Sequence, residues 1–277
     1  MAGAHGDLAE PLLEEIPSGM RQPMRGARTA VAPVAWQEWG PNGRGLAATT
    51  AFCLGAACTL SAACLPMLLP SAIPFFCYFS LLCIFHMSEY LLTAAFRPDT
   101  LSFDNFLLNH SRAYQLMVGV AWAEYWLEWF AINHFGCCGW WPGGKSWGPL
   151  NMLGLLICLV GLGTRCLGMW TASTNFSHKI EEHKREEHAL VTHGIYAYLR
   201  HPAYFGFFWW SVGTQVLLGN PLCLIAYTAA SWNFFYDRIP TEEELLIEFF
   251  GDRYRSYRKA TMVGIPGIDW ATRGLVG

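Results

Sequence analysis

The chain has 277 residues, of which 53% are hydrophobic, 15% aromatic and only 14% charged. A soluble domain carries about 25% charged residues, so this composition excludes an ordinary water-soluble globule. The net charge of −3 names no partner, and there is no basic cluster of the kind that binds nucleic acid.

Residues 1–45 hold Gly, Pro, Arg and Glu without a sustained apolar period and read as a mostly disordered tail. No apolar core lies near the start, so no secretory signal peptide is expected and the first span serves for targeting. From about residue 46 the chain is a series of apolar stretches near the membrane-spanning length of about 20 residues. About six spans are predicted, over 46–69, 72–96, 113–134, 149–172, 203–218 and 221–237. The last two are short and separated by Gly219, Asn220 and Pro221, which predicts a tight helical hairpin. The expected fold class is an all-α polytopic membrane helix bundle, one domain over 46–270 followed by a short tail over 271–277.

An even number of spans puts both termini on one side. Of the 18 Lys and Arg, Arg165 lies within a span and only Lys145 falls in an opposite-side loop, so the rest mark the cytosolic face. The sequons at Asn109 and Asn175 then face the cytosol, and neither is expected to be glycosylated. The ten cysteines mostly lie in apolar stretches, where Cys acts as a small hydrophobe, and no CxxC pair is present. That argues against a disulfide framework or a zinc site. His178, His183, His188 and His193 recur every five residues, a poor helical spacing for metal ligands, so no metal is expected.

The polar linker 173–202 and the segment 238–259 flank the short hairpin on the cytosolic side and should be clamped together at one membrane face. Gly194 permits backbone conformations closed to other residues, and Pro202 suits the first turn of the following helix. Tyr196 and Tyr204 can line a flat cavity for a base. Asp237 or Thr241 is placed to cap a helix whose first turn is acidic. Arg238 sits where the last span leaves the membrane, and its guanidinium can hold a carboxylate through two parallel hydrogen bonds. Glu243, Glu244 and Glu248 read as a solvated helix face. The intramembrane polar residues His86, Glu89, Glu124, Glu128 and Arg165 are candidates to line or support a substrate route, or to serve as helix-packing glue.

The run from Gly194 through Arg200, His201 and Pro202 to Tyr204 and Gly206, followed by Arg238 and Glu242, resembles the isoprenylcysteine carboxyl methyltransferase family. Phe85, His86, Ser88, Glu89 and Tyr90, the stretch Phe106 to Ser111 and, less specifically, Ser173 to Phe176 are similar to that family's upstream segments. The resemblance covers about 80–270, and six spans match the fungal and protist form, whereas the animal form has an additional pair. It implies that S-adenosylmethionine is held by Glu181, His188, Ala189, Leu190, Val191, Tyr196, His201, Pro202, Ala203, Tyr204 and Glu242. It also implies that Arg238 meets the C-terminal carboxylate of a prenylated cysteine, left by CaaX processing, with the prenyl chain in membrane lipid and the enzyme in the endoplasmic reticulum. The family usually has another polar residue in place of Glu181, and a serine is common where Ala203 stands. Two alternatives share parts of the C-terminal motif. An N-methyltransferase acting on ethanolamine head groups has a neutral or cationic acceptor, for which Arg238 is unhelpful. A sterol reductase-like NADPH enzyme wants basic residues for the 2′-phosphate, and Lys179, Lys184 and Arg185 are available, but such enzymes are typically longer.

Overall fold

The structure, a computed structural model, describes residues 40, 43–137, 139, 142, 144–181, 183, 184 and 188–271. The tails expected over 1–45 and 271–277 fall almost wholly outside the described residues, as do Cys138 and Arg185.

Helix α1 (Arg44–Thr59) continues through a π turn over Leu60–Cys64 into a short turn over Leu65–Leu68. The widening has a cause: Pro66 lacks an N–H and its ring crowds the carbonyl four residues back, which the looser π turn relieves. Four further helices begin at or next to a proline, whose fixed φ and missing N–H cost nothing in a first turn: α2 (Ile73–Phe96), α4 (Pro149–Ala172), α5 (Pro202–Leu218) and α6 (Pro221–Phe250). Helix α3 (Arg112–Phe135) is capped instead by Ser111, whose hydroxyl accepts from the Tyr114 amide at 3.0 Å. The predicted hairpin joins α5 to α6 through Gly219, which takes the left-handed conformation at φ +64°. A last helix, α7 (Asp252–Ala260), follows. Among the described residues the only β pairing is an isolated bridge, in which Leu199 and Met262 run parallel.

Three segments are long and apolar enough to cross a membrane, Arg44–Leu68, Pro70–Phe96 and Pro149–Asn175. The predicted spans over 113–134, 203–218 and 221–237 are not among them. Helix α3 carries Arg112, Glu124 and Glu128, and α5 has 17 residues, fewer than the about 20 that cross a bilayer upright.

The helix start expected at Asp237 or Thr241 is overturned. Helix α6 runs unbroken through Pro240 to Phe250, and the Thr241 hydroxyl donates within the helix to the Asp237 carbonyl at 3.1 Å. An interior proline costs about 3 kcal/mol, but Phe235, Ile239 and Glu243, one turn apart, are all buried on the inner face and hold the helix together across it.

The central contact is α4 against α5. A Cβ on Gly161 would stand 2.5 Å from the Trp210 amide nitrogen, and one on Gly206 would stand 2.6 Å from that of Arg165. Only glycine lets these backbones touch, the small-residue packing of membrane helices. An aromatic cluster of Phe75, Tyr78 and Tyr125 with Trp210 fills the space among α2, α3 and α5. A second cluster, in which Val263, Ile265 and Ile268 meet Phe208, Phe235 and Ile239, pins the C-terminal segment onto α5 and α6.

Candidate functional site

The α5–α6 hairpin brings the linker 173–202 and the extension of α6 to one rim of the bundle. The linker is fixed at both ends of its second half. Gly194, at φ +60°, packs so close to Thr171 that a Cβ would lie 3.0 Å from the threonine methyl. The Arg200 amide donates to the Met262 carbonyl at 3.0 Å, and the Met262 amide to the Tyr198 carbonyl at 3.1 Å. The Asn175 side-chain oxygen accepts from the Ala189 amide at 2.9 Å, setting the run that follows.

These constraints enclose a cavity of about 120 Å³, open to solvent. His188, Ala189, Leu190, Val191, Tyr196, His201, Pro202, Ala203, Tyr204 and Glu242 all line it. The His201 and Tyr204 rings stack with centroids 5.4 Å apart. The Tyr204 hydroxyl donates to a Glu242 carboxylate oxygen. Glu181 does not line this cavity. The Arg97 guanidinium donates to Phe176 O at 3.1 Å and to Glu181 Oε1 at 3.3 Å, and turns that carboxylate toward a larger neighbouring cavity of about 710 Å³.

Arg238 is on the lining of neither cavity but bonds to one residue of each. Its Nε donates to the Tyr204 hydroxyl at 2.9 Å, and its Nη2 donates to the His178 carbonyl at 2.7 Å. Tyr204 lines the first cavity and His178 the second. No carboxylate lies within ion-pair distance of Arg238 among the described residues, and its Nη1 donates to none of their acceptors.

Beneath the floor lies a buried charge cluster. Glu243, expected on a solvated face, is completely buried. Its Oε1 accepts from Arg200 Nε at 2.5 Å and lies 3.3 Å from His201 Nε2. Arg258 Nε approaches Oε2 to 3.0 Å as an ion pair rather than an aligned hydrogen bond. Arg200 also reaches Asp269 at 2.9 Å and the Thr261 carbonyl at 2.7 Å. Burial pushes the Glu243 carboxyl up, but the His201 hydrogen bond and the neighbouring positive charges outweigh it and hold the group below its ordinary range. The signal for Glu243 was present in the sequence as its place four residues after Ile239 and eight after Phe235, on the apolar stripe of α6. Asn175, Phe176, Ser177, Leu246, Phe250, Tyr254 and Tyr257 also line the first cavity. Apart from Asn175 and Phe176, which lie in a segment resembling the family's, no sequence argument singled them out.

The intramembrane polar residues divide into two groups. Glu124 accepts from the Leu222 and Cys223 amides at 2.8 and 2.7 Å, capping α6, and Glu128 pairs with Lys145 at 3.0 Å. Both therefore belong to the hairpin turn at the far end and not to a route into the site. Glu89 and Arg165 pair with each other under the near rim. His86 bridges the Phe106 carbonyl at 2.7 Å and the Tyr114 hydroxyl at 3.0 Å. Of the basic residues considered for a 2′-phosphate, Lys184 donates to the Phe249 carbonyl at 2.9 Å. Among the described residues, no group of three or more His, Cys, Asp or Glu is arranged to hold a metal ion.

Fold and cavity define a helical membrane protein with a small-molecule site at one rim, backed by an arginine that lacks an anionic partner among the described residues. Residues 152–248 match the isoprenylcysteine carboxyl methyltransferase (ICMT) family. The chain is 45% identical over 195 residues to the protein-S-isoprenylcysteine O-methyltransferase of Dictyostelium discoideum, covering 69% of this chain and 76% of that protein. To the enzymes of the same name from Saccharomyces cerevisiae and Homo sapiens it is 40% and 44% identical, spanning 77% and 64% of their lengths. It superposes on the solved structure of a eukaryotic intramembrane Ras methyltransferase ICMT with a TM-score of 0.70 at 38% identity, covering 78% of this chain and 74% of that one. The chain belongs to the isoprenylcysteine carboxyl methyltransferase family.

Proposed function

We propose that this protein transfers a methyl group from S-adenosylmethionine to the C-terminal carboxylate of a prenylated cysteine, at the cytosolic face of the endoplasmic reticulum membrane. The observation that carries the reading is Arg238. A guanidinium without an ion-pair partner among the described residues, bonded through Nε to the Tyr204 hydroxyl on the wall of a small-molecule cavity, is suited to an anionic acceptor and not to an amine.

The donor set fits S-adenosylmethionine. Tyr196, His201 and Tyr204 offer ring faces, His188 and the backbone of the 188–191 run offer hydrogen bonds, and the Glu242 carboxylate offers a counter-charge for a cationic sulfur. When bound, the group supplies an electrophilic methyl carbon. The remaining chemistry belongs to this chain. A terminal carboxyl titrates near about 3.5, so the nucleophile is ionised at neutral pH and no general base is required. Arg238 orients the carboxylate while leaving one oxygen lone pair for attack, and fixing it next to the methyl group contributes about 7–11 kcal/mol through proximity alone. The Tyr204 hydroxyl, shared between Arg238 and Glu242, couples the acceptor side to the donor side. A prenyl chain is insoluble and enters sideways between helices, and its burial supplies remote binding energy that positions the reacting end. Six spans with both termini cytosolic complete this reading.

The test uses detergent-solubilised protein, labelled S-adenosylmethionine and a farnesylcysteine analogue. Base-labile volatile label, lost in Arg238→Ala, is expected. Label appearing in an ethanolamine lipid instead, or Arg238→Ala at full activity, would sink the reading.

A further inference from the structure

The carboxyl-binding arginine does not hold itself in place. Its Nη2 rests on the backbone carbonyl of His178, 60 residues away, at 2.7 Å. That carbonyl belongs to the strap 173–181, which leaves α4 through a short 3-10 turn at Ser173–Asn175 and has no helix of its own to fix it. Arg97 holds the strap at Phe176 and Glu181, and what fixes it at His178 itself is that residue's ring, whose Nε2 meets Glu89 Oε2 at 2.8 Å. Glu89 is wholly buried on α2, and its two oxygens are also gripped by Arg165 through Nε and, at 2.8 Å, Nη2. The same guanidinium gives Nη1 to the Ala203 carbonyl at 3.1 Å. Ala203 precedes Tyr204, and Tyr204 carries the hydroxyl on which Arg238 Nε rests at 2.9 Å. The contacts therefore close a ring: Arg238, His178, Glu89, Arg165, Ala203, Tyr204 and back to Arg238.

The charge balance of the ring explains its composition. Arg165 neutralises Glu89, so the pair sits in a buried place without a net charge. The lone pairs of Glu89 Oε2 left over by Arg165 are available to a third donor, and the His178 N–H takes one. A plain ion pair serving only as helix glue needs no such third member. The strap is the one part of the ring outside any long helix, so its carbonyl is the coordinate most easily lost.

We infer that Glu89 and His178 are positioning residues for Arg238: the buried carboxylate holds the imidazole, the imidazole holds the strap, and the strap's carbonyl aims the guanidinium at the substrate carboxylate. This rests on the methyl transfer proposed above and adds to it how the acceptor arginine is aimed. Glu89, wholly buried, acts only through His178.

The test compares wild type, His178→Ala and His178→Gln in full-length protein in detergent. Glutamine places a side-chain N–H near the position of Nε2, so it restores the bond to Glu89. Each protein is assayed for S-adenosylmethionine affinity and for farnesylcysteine methylation. Each is also assayed for inhibition by two substrate analogues, a farnesylcysteine analogue with a free carboxylate and its carboxamide. His178→Ala is expected to lower kcat/KM for farnesylcysteine by about tenfold to a hundredfold, the loss of one hydrogen bond to a charged group. Donor affinity should stay unchanged, and the preference for carboxylate over carboxamide should shrink. His178→Gln should recover most of both losses. A merely structural residue would weaken both inhibitors alike, and that outcome overturns the inference, as does failure of glutamine to rescue. Wild-type protein that does not methylate farnesylcysteine would instead overturn the function, so the two failures are distinguishable.

Discussion

Arg200 Nε lies 2.5 Å from Glu243 Oε1, joining the residue two positions ahead of α5 to the C-terminal extension of α6 beneath the small-molecule cavity. Both side chains are buried, and Glu243 serves Arg200, His201 and Arg258 at once. Removing one member of a buried pair strands the others' charge and costs about 3–5 kcal/mol. Glu243→Ala is therefore expected to lower the Tm of the detergent-solubilised protein by several degrees and to weaken S-adenosylmethionine binding, because His201 and Arg200 line the same cavity. Glu244→Ala, one residue on and exposed, should change neither. Equal behaviour of the two variants in a thermal-shift and ligand-binding comparison would contradict the arrangement.

The same carboxylate sets a pH dependence. Its folded value lies below the ordinary 4.5, because burial, which raises it, is outweighed by the His201 hydrogen bond and the charges around it. A depressed acid contributes stability that is fully present above its unfolded value and is lost as pH falls through the folded one. The gap in Tm between wild type and Glu243→Gln should thus be widest above about pH 4.5 and narrow below it. A gap that stays constant through that window, followed by thermal unfolding across an acid series, would show that ionisation of Glu243 contributes nothing.

Helix positions were largely legible from apolar run length and from proline punctuation. Residues 149–172 were bounded as the structure bounds them, and α2, α3 and α5 to within a residue or two. Helix α6 was cut short because Pro240 and the acidic run after it carry the local marks of a new helix, whereas the deciding interactions are tertiary: Ile239 and Glu243 pack inward. Most of the residues around the small-molecule cavity were reachable through motif resemblance. The aromatic wall from Phe250, Tyr254 and Tyr257 was not, since it depends on α7 folding back beneath the linker, which no local pattern encodes. The ring through Glu89 and His178 joins residues 89 positions apart, and a single sequence gives no means of pairing them.

At the opposite end of the bundle, Lys145 closes the hairpin turn. It is almost fully buried, and its Nζ donates to Gly219 O at 2.8 Å, to Asn220 Oδ1 at 2.9 Å and, more weakly, to Leu218 O at 3.4 Å. It pairs with Glu128 at 3.0 Å and lies 4.9 Å from the centre of the Tyr125 ring. A cation over the last carbonyls of α5 satisfies acceptors that have no helical partner and favours the negative end of the helix dipole. Lys145→Met preserves the stem's bulk but leaves the partly buried Glu128 without its ion-pair partner and the turn's carbonyls without a donor. Stability should fall by about 1–3 kcal/mol, the cost of leaving a buried acceptor unsatisfied. Because the small-molecule cavity lies at the other rim, S-adenosylmethionine affinity measured below the unfolding transition should stay within about twofold of wild type, as independent distant sites do. The double variant Lys145→Met with Glu128→Gln should recover part of the loss, since the stranded charge is then gone. If Lys145→Met instead left Tm unchanged, the ammonium would be dispensable to the turn; if it abolished donor binding while leaving the fold intact, the two rims would be coupled.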